Sequence, residues 1–350
     1  MAITDTFNPA LQPVTTQGPS ASNREDLTDV LTILAPEETP ALSSANKQKA
    51  NATFVEWTVD SLANPKTTGI SEGADVTSFT DQFASRARLG NYIQKFRRDF
   101  MVSDLQEAVD SVGPAKVAQA EAKAIRELKR DIEATILSDE DRQAETGAVP
   151  YTMRGLGKFI ESSANTGGAG ASSDIPDDYK TPAGSINAQA AAGDITESEF
   201  NTIIRSIYRA NGEANNLVLI ADTTLRKQIA DYARFGADVA DGTNAGVRSV
   251  NYDGNDSTIK LSVEVYQSDF GIVSIVTMNP VTNPETVTGA SANHDRGYLI
   301  NPDYYGIHEL IPMGSTRLPN MGGGERGFVD CALTLGVYHP GAHGYIQAIT

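Results

Sequence analysis

The feature that most constrains this chain is a long helical stretch, opened by the break Gly113-Pro114 and running without another breaker to about Leu137, just ahead of the acidic exit Asp139-Glu140-Asp141. Pro114 suits a first helical position, where its missing N–H has no intrahelical partner in any case, and the residues after it are nearly all good helix formers. Ahead of it, Ser103-Asp104-Leu105-Gln106 opens a shorter helical pattern. Ala118, Ala122, Ile125, Leu128, Ile132 and Ile136 recur at spacings of three or four, so they form one apolar face that must bury against something. Lys123, Glu127, Lys129 and Glu133 fall mainly off that face. Lys123/Glu127 and Lys129/Glu133 are i,i+4 pairs expected on a solvated surface, each contributing a few tenths of a kcal/mol. At 1.5 Å rise per residue the rod is about 35 Å long, the width of a small domain, so it should join two or more units.

A chain of 350 residues can hold two or three domains and bury a proper core. Its net charge of −17 argues against a protein built to grip nucleic acid, an affinity that Lys and Arg supply by neutralising phosphates. Cys331, the only cysteine, cannot form an intrachain disulfide. The N-terminus lacks the basic and apolar regions of a signal peptide, and no stretch approaches the ~20 apolar residues of a membrane span. The expected setting is a cytoplasm, or a particle assembled there, with no membrane partner.

Met1 to Ser22 is rich in Thr, Pro, Ser and Ala without a hydrophobic period, and reads as a flexible arm. Asn23 caps an expected helix whose face is Leu27, Val30, Leu31 and Leu34, ending at Pro36. From Asn51 to Leu62 the period changes to two, with Thr53, Val55, Trp57 and Val59 alternating against Phe54, Glu56, Thr58 and Asp60. A return strand is expected from Phe83 to Val102, across a polar tip. The result is a hairpin too long to be stabilised by its own body, which should lie on a neighbour. After the long helix, Tyr151 to Ser162 reads as helical and Asn165 to Gly193 as a surface loop rich in Gly, Ala, Ser and Asp. Thr196-Glu197-Ser198-Glu199 is a capping box before the amphipathic Phe200, Ile203, Ile204 and Ile207. With the buried strand Leu217–Ala221 and a helix capped by Asp222, it predicts an α/β unit. Strands are expected at Thr258–Gln267, Gly271–Met278, Gly297–Ile300 and Val329–Tyr338.

Candidate chemistry is sparse. His339 and His343 have a zinc-helix spacing, but Pro340-Gly341 breaks the helix that would align them, so a turn between strand pieces is the expectation. Cys331 lies in an alternating strand and reads as buried packing. Gly322-Gly323-Gly324 and Gly167-Gly168-Ala169-Gly170 lack the Lys-Ser/Thr of a phosphate loop and read as loop tips. Asp139-Glu140-Asp141 lacks calcium-loop spacing and reads as a solvated helix exit. No nucleophile–base–acid set emerges, and no catalytic residue, metal ligand or cofactor site is assigned. Lys95, Arg97 and Arg98, interleaved with Phe96 and Phe100, are the compact basic run and read as an intersubunit salt-bridge patch.

Arg24-Glu25-Asp26-Leu27, Ala35-Pro36-Glu37-Glu38-Thr39-Pro40 and Glu56-Trp57-Thr58-Val59-Asp60-Ser61-Leu62-Ala63 resemble the start of the SU-10-like family of tailed-phage major capsid proteins. Gly90-Asn91-Tyr92-Ile93-Gln94, Glu127-Leu128-Lys129-Arg130-Asp131-Ile132-Glu133 and Ala342-His343-Gly344-Tyr345-Ile346 are similar to its later blocks, in the same order. The resemblance implies an α+β fold, the Hong Kong 97-type major capsid fold, divided as an N-terminal arm (1–22), a helical segment (23–50) and a hairpin called the E-loop (51–102). A peripheral domain with the long spine helix (103–150), an axial domain (151–294) and a C-terminal return to the peripheral sheet (295–350) complete it.

What the resemblance implies for function is a viral capsid: copies of the chain self-assemble as pentamers and hexamers into an icosahedral shell, part of the virion, in the bacterial host cytoplasm. The shell encloses double-stranded DNA without binding it specifically. Portal, scaffolding and decoration proteins are the other expected partners, and the protein is not expected to be an enzyme. Acidity fits, because an acidic wall repels DNA over a Debye length of roughly 10 Å. The contact candidates are Trp57, Arg86, Arg88, Tyr92, Lys95, Arg97 and Arg98, the basic ones expected to select an acidic surface on the neighbour. Cross-linking through Lys66 has no assignable partner Asn. The rival reading is an α/β enzyme using Asn165–Gly193 as a lid.

Overall fold

The structure, a computed structural model, describes residues 38–109, 116–160, 175–188, 195–234, 264–284 and 296–347. The expected arm, the helix after Asn23, the break Gly113-Pro114, most of Asn165–Gly193 and the strand start at Thr258 lie outside these residues.

The described chain begins with the short helix α1 (Pro40–Ser44), then β1 (Asn46–Lys49), β2 (Phe54–Val59), β3 (Ala87–Tyr92), β4 (Gln94–Val102), the short α2 (Asp104–Ala108) and the 21-residue α3 (Lys116–Ile136). Next come α4 (Leu156–Ile160), β5 (Ile186–Ala188), α5 (Glu197–Asn211), β6 (Leu217–Ala221), α6 (Thr223–Arg234), β7 (Val265–Gln267) and β8 (Ile272–Thr277). The last described elements are β9 (Gly297–Ile300), β10 (Tyr305–Leu318), β11 (Glu325–Val337) and β12 (Gly344–Gln347). The strands form a four-stranded sheet ordered β1-β10-β11-β4, a six-stranded sheet ordered β5-β12-β9-β6-β8-β7, and the two-stranded ribbon β2-β3.

The long helix packs its apolar face on β4 and β11 of the four-stranded sheet. Leu128, Ile132 and Ile136 are fully buried and Ile125 packs against the same core. Val117 and Ala124, seven residues apart, complete the face, while Ala118 and Ala122 are exposed, because the larger Val117 takes the inward position. Glu133 departs from its expected place: it is fully buried, and its carboxylate accepts from Ala41 N and Leu42 N rather than pairing with Lys129. The pair Lys123–Glu127 forms as expected, at 3.8 Å. Just beyond the helix, Tyr298 Oη on β9 donates to Leu137 O at 2.5 Å, and Arg296 meets Asp139 at 2.6 Å. The rod runs along one sheet and ends against the other.

Several boundaries differ from expectation. The return strand Phe83–Val102 is two strands: Ile93 turns inward, its N–H donating to Thr53 O, so β3 stays with β2 while β4 joins β11. β10, at 14 residues the longest of the described strands, has no counterpart in the sequence reading. Pro312 falls within its second register shift, between Ile311 and Gly314, and Gly306 and Gly314 interrupt its alternation, as bulged strands permit. β1 stands in a segment read as helical. In the C-terminal part, β10 and β11 belong to the four-stranded sheet, whereas β9 and β12 belong to the six-stranded one. The described part of Asn165–Gly193 contains β5 and the buried Ile175 and Tyr179, so it is not wholly a surface loop. The unit α5-β6-α6 appears as expected, with its capping box formed by Thr196 and Glu199 and an αL Gly212 after the helix.

Removing side-chain volume from the inward face should be costly. Leu128→Ala is expected to lower stability by ~2–5 kcal/mol, whereas Ala122→Ser on the exposed side should change it by about 0.5 kcal/mol or less. Urea unfolding followed by circular dichroism measures both.

Candidate functional site

What projects from this fold is the ribbon β2-β3 and the segment it carries. The strands pair antiparallel from Phe54↔Tyr92 to Val59↔Ala87, with Trp57 opposite Leu89. Between them, residues 60–86 contain no helix or strand, and large apolar side chains stand in solvent: Leu62 is 99% exposed, Ile70 88% and Phe79 91%. The base of this loop is closed by charge. Arg86 Nε lies 2.8 Å from Asp60 Oδ2, Ser85 Oγ donates to Asp60 Oδ1 at 2.8 Å, and the Arg86 guanidinium covers the Phe83 ring at 4.0 Å. The hydrogen bonds from Arg86 and then Ser85 hold the Asp60 carboxyl below its ordinary range.

The root of the ribbon is rigid by contrast. Asn91, fully buried, donates through Nδ2 to Leu335 O at 2.9 Å and Arg154 O at 3.2 Å, and accepts from Arg154 N at 2.8 Å. Arg154 is itself 1% exposed and meets Asp141 at 2.6 Å. Gly90 is required beside it, because a Cβ there would lie 2.8 Å from the Phe54 ring and 3.0 Å from Val55 O. Periodicity and motif spacing do not point to Asn91, Arg154 or Gly90; an amide beside a glycine in a strand is the available signal.

The structure does not bring the seven expected contact residues together. Trp57 is half-buried in its own chain, with its ring near Phe159, Tyr338 and His308, and its buried Nε1–H has no acceptor among the described residues. Tyr92 packs on Phe54 at 4.6 Å and Tyr151 at 5.6 Å. Arg86 is engaged by Asp60, while Arg88 is exposed and has no ionic partner among the described residues. Lys95, Arg97 and Arg98 lie on β4, in the sheet rather than the projecting loop. Lys95 meets Asp330 at 3.1 Å, Arg97 faces the Phe328 ring, and Arg98 pairs with Asp131 of α3 through two bonds of 2.5 and 2.7 Å. The loop itself carries Glu72, Asp75 and Asp81 against Lys66 once Asp60 and Arg86 are paired, so its sign is the reverse of the expectation.

Other candidates resolve into structural roles. His339 and His343 flank a single 3-10 turn, Pro340–Ala342, before β12. His343, fully buried, accepts from Asn301 N through Nδ1, and burial pushes its pKa down to about 3. Burial pushes the Cys331 thiol up to about 12, with Asp330 adding to the effect. Gly322 and Gly324 adopt φ of 92° and 116° between β10 and β11. Asp139 and Asp141, expected to be solvated, bind the buried guanidinium groups of Arg296 and Arg154. Among the described residues no cluster of three His, Cys, Asp or Glu could hold a metal, and no helix is long and apolar enough to cross a membrane.

A spine helix along one sheet, a projecting ribbon and a second sheet together define the capsid fold of tailed phages, of the Hong Kong 97 type. The capsid of the cyanophage P-SCSP1u is similar with a TM-score of 0.59 at 14% identity, over 99% of this chain and 100% of that one. The capsid of the native GTA particle gives 0.59 at 13%, over 95% and 97%, and Mycobacterium phage Adephagia 0.58 at 10%, over 95% and 96%. The chain belongs to the SU10 major capsid protein family, which matches residues 8–350. It is a structural protein, the major capsid protein of a tailed phage, and the enzyme reading finds no support. No curated protein matches the sequence.

The buried neutral His343 makes the fold acid-sensitive. The unfolded chain takes up this proton near pH 6.5 and the folded chain only near 3, so the unfolded state binds more protons in between. The folded/unfolded ratio should therefore fall by up to tenfold per pH unit from this group as pH drops from 6.5 towards 3. Urea midpoints at pH 7, 5 and 4 should show the stability difference between wild type and His343→Gln shrinking as pH falls.

Proposed function

We propose that the protein is the repeating subunit of an icosahedral head, joined as pentamers and hexamers into a shell around packaged double-stranded DNA, and assembled in the bacterial host cytoplasm. The family and the fold support a shell built from copies of the chain. The observation that carries the reading is the loop 60–86: apolar side chains on a rigid root, exposed to water in the isolated subunit, mark a surface that another copy covers. Its acidic residues call for a basic receptor. The outward side of α3 carries Lys123, Arg126 and Lys129, with Glu127 beside Lys123, and Arg130 lines an open trough of about 530 Å³ together with Glu127, the paired Arg98 and Asp131, and Val281. Loop on spine, acidic on basic, replaces the expected arginine-rich hairpin on an acidic neighbour.

In this reading the four-stranded sheet with α3 is the peripheral part and the six-stranded sheet the axial part. Portal, scaffolding and decoration proteins would be the remaining partners. The net charge of −17 keeps the wall from gripping the DNA it surrounds.

Replacing residues 62–83 with a short Gly-Ser link should leave the urea midpoint of the subunit unchanged and abolish shells in size-exclusion chromatography and electron microscopy. Normal shells from this variant would overturn the assignment. Lys123→Glu with Lys129→Glu should weaken assembly and reduce its salt dependence.

A further inference from the structure

One buried carboxylate fastens the segment that leads from residues 1–37 into the fold. Glu133 on α3 is fully buried, and its two oxygens accept from Ala41 N and Leu42 N, each at 2.8 Å. These are first-turn N–H groups of α1, which no carbonyl within that helix can serve, and Pro40 beside them has none to offer. Two more bonds hold the same turn. Tyr305 Oη, fully buried on β10, donates to Ala41 O at 2.9 Å, and Asn279 Nδ2 donates to Glu38 O at 3.0 Å. Directly afterwards β1 pairs in parallel with β10, from Asn46↔Gly306 to Lys49↔Glu309.

The charge at this junction is not balanced by a cation. Among the described residues no Lys, Arg or His lies within ion-pair distance of Glu133; Lys129 on its own helix is exposed, and Arg130 lines the outer trough. From β10 the group that faces it is Tyr305, whose hydroxyl stays protonated because of burial and, secondarily, the Glu133 charge. From the α1 side it meets backbone N–H groups, and Glu38 is exposed. Full burial with no cation nearby among the described residues disfavours the ion, the two N–H bonds favour it, and here desolvation is the larger effect. Burial accordingly pushes the carboxyl up to about 7, the two backbone hydrogen bonds opposing it only in part.

We propose that Glu133 is a proton-linked latch: segment 38–45 seats on α3 with uptake of one proton by this carboxyl group, so the subunit's grip on its N-terminal segment is set by pH. On opening, Glu133 meets water, returns to the ordinary carboxylate range near 4.5 and releases the proton to solvent. The closed state has the raised pKa, so closing is weakest above pH 7 and strengthens as pH falls towards 4.5, by up to tenfold per unit. The latch is a property of the subunit fold and does not rest on the assembly proposed above.

Hydrogen exchange read by mass spectrometry on the full chain between pH 5 and 8, corrected for the intrinsic pH dependence of exchange, tests it. The opening equilibrium of peptides covering 38–49 should rise by up to tenfold per unit from pH 5 to 7 and level off above. Peptides of β11 report global stability and provide the reference. Glu133→Gln, which cannot titrate, should give a flat profile. Tyr305→Phe, which removes a neighbouring staple but not the titrating group, should open more at every pH and keep the slope. A flat wild-type profile, or an unchanged slope in Glu133→Gln, overturns the latch. Should the glutamine variant not fold, the wild-type profile decides: an inflection near pH 7 in 38–49 that is absent from β11 supports the latch.

Discussion

Most of this structure depends on one contact, the apolar face of α3 laid on β4 and β11. In a folded protein most of a helix's stability comes from the apolar face it buries rather than from its propensity. The sheet answers with Phe96 and Phe100 on β4 and Val329, Cys331, Leu333 and Leu335 on β11, all in the same core. With the helix fixed there, its length places other groups. Asp131 reaches Arg98 on the outer row of β4, Glu133 reaches the turn at Ala41, and Leu137 reaches Tyr298 in the six-stranded sheet. A helix displaced by one turn would lose all three.

The same core sets a contrast between what is rigid and what is free. At the ribbon root the side chain of Asn91 and the backbone of Arg154 bond each other, Asn91 also bonds Leu335 O, and Arg154 pairs with Asp141, which fixes the direction in which β2 and β3 leave the body. Beyond Asp60 and Arg86 the loop has neither ladder nor core, and its large apolar residues lack cover among the described residues. A closed shell places identical chains in slightly different surroundings, which a compliant contact on a fixed root accommodates better than a rigid face. In the proposed assembly the acidic character of that loop, and the lysines and arginines on the outer side of α3, would give such a contact a sign as well as a shape.

The sequence reading succeeded where one local signal was enough. The helix Lys116–Ile136, the capping box at Thr196, the strand Leu217–Ala221 and the alternation around Cys331 all follow from periodicity and capping, which neighbouring residues decide among themselves. It failed where distant chain intervenes. β10 hides its alternation behind Pro312 and two glycines, and is a strand because β1 and β11 flank it. Asp139 and Asp141 look like a solvated exit until Arg296 arrives from 157 residues along the chain and Arg154 folds back from beyond the helix.

What the sequence determined by itself is the spine, the period of the strands at Trp57 and Cys331, and, through ordered short blocks, the capsid family. Tertiary structure alone decided which charges project. Lys95, Arg97 and Arg98 follow Arg86 and Arg88 closely in sequence, yet the inward turn at Ile93 puts them in a different sheet with partners of their own. Glu133 makes the same point on the helix: beside Ile132 its burial is a matter of one step around the cylinder. Whether that step meets water or the backbone of Ala41 depends on a chain segment 92 residues away, which no local pattern records.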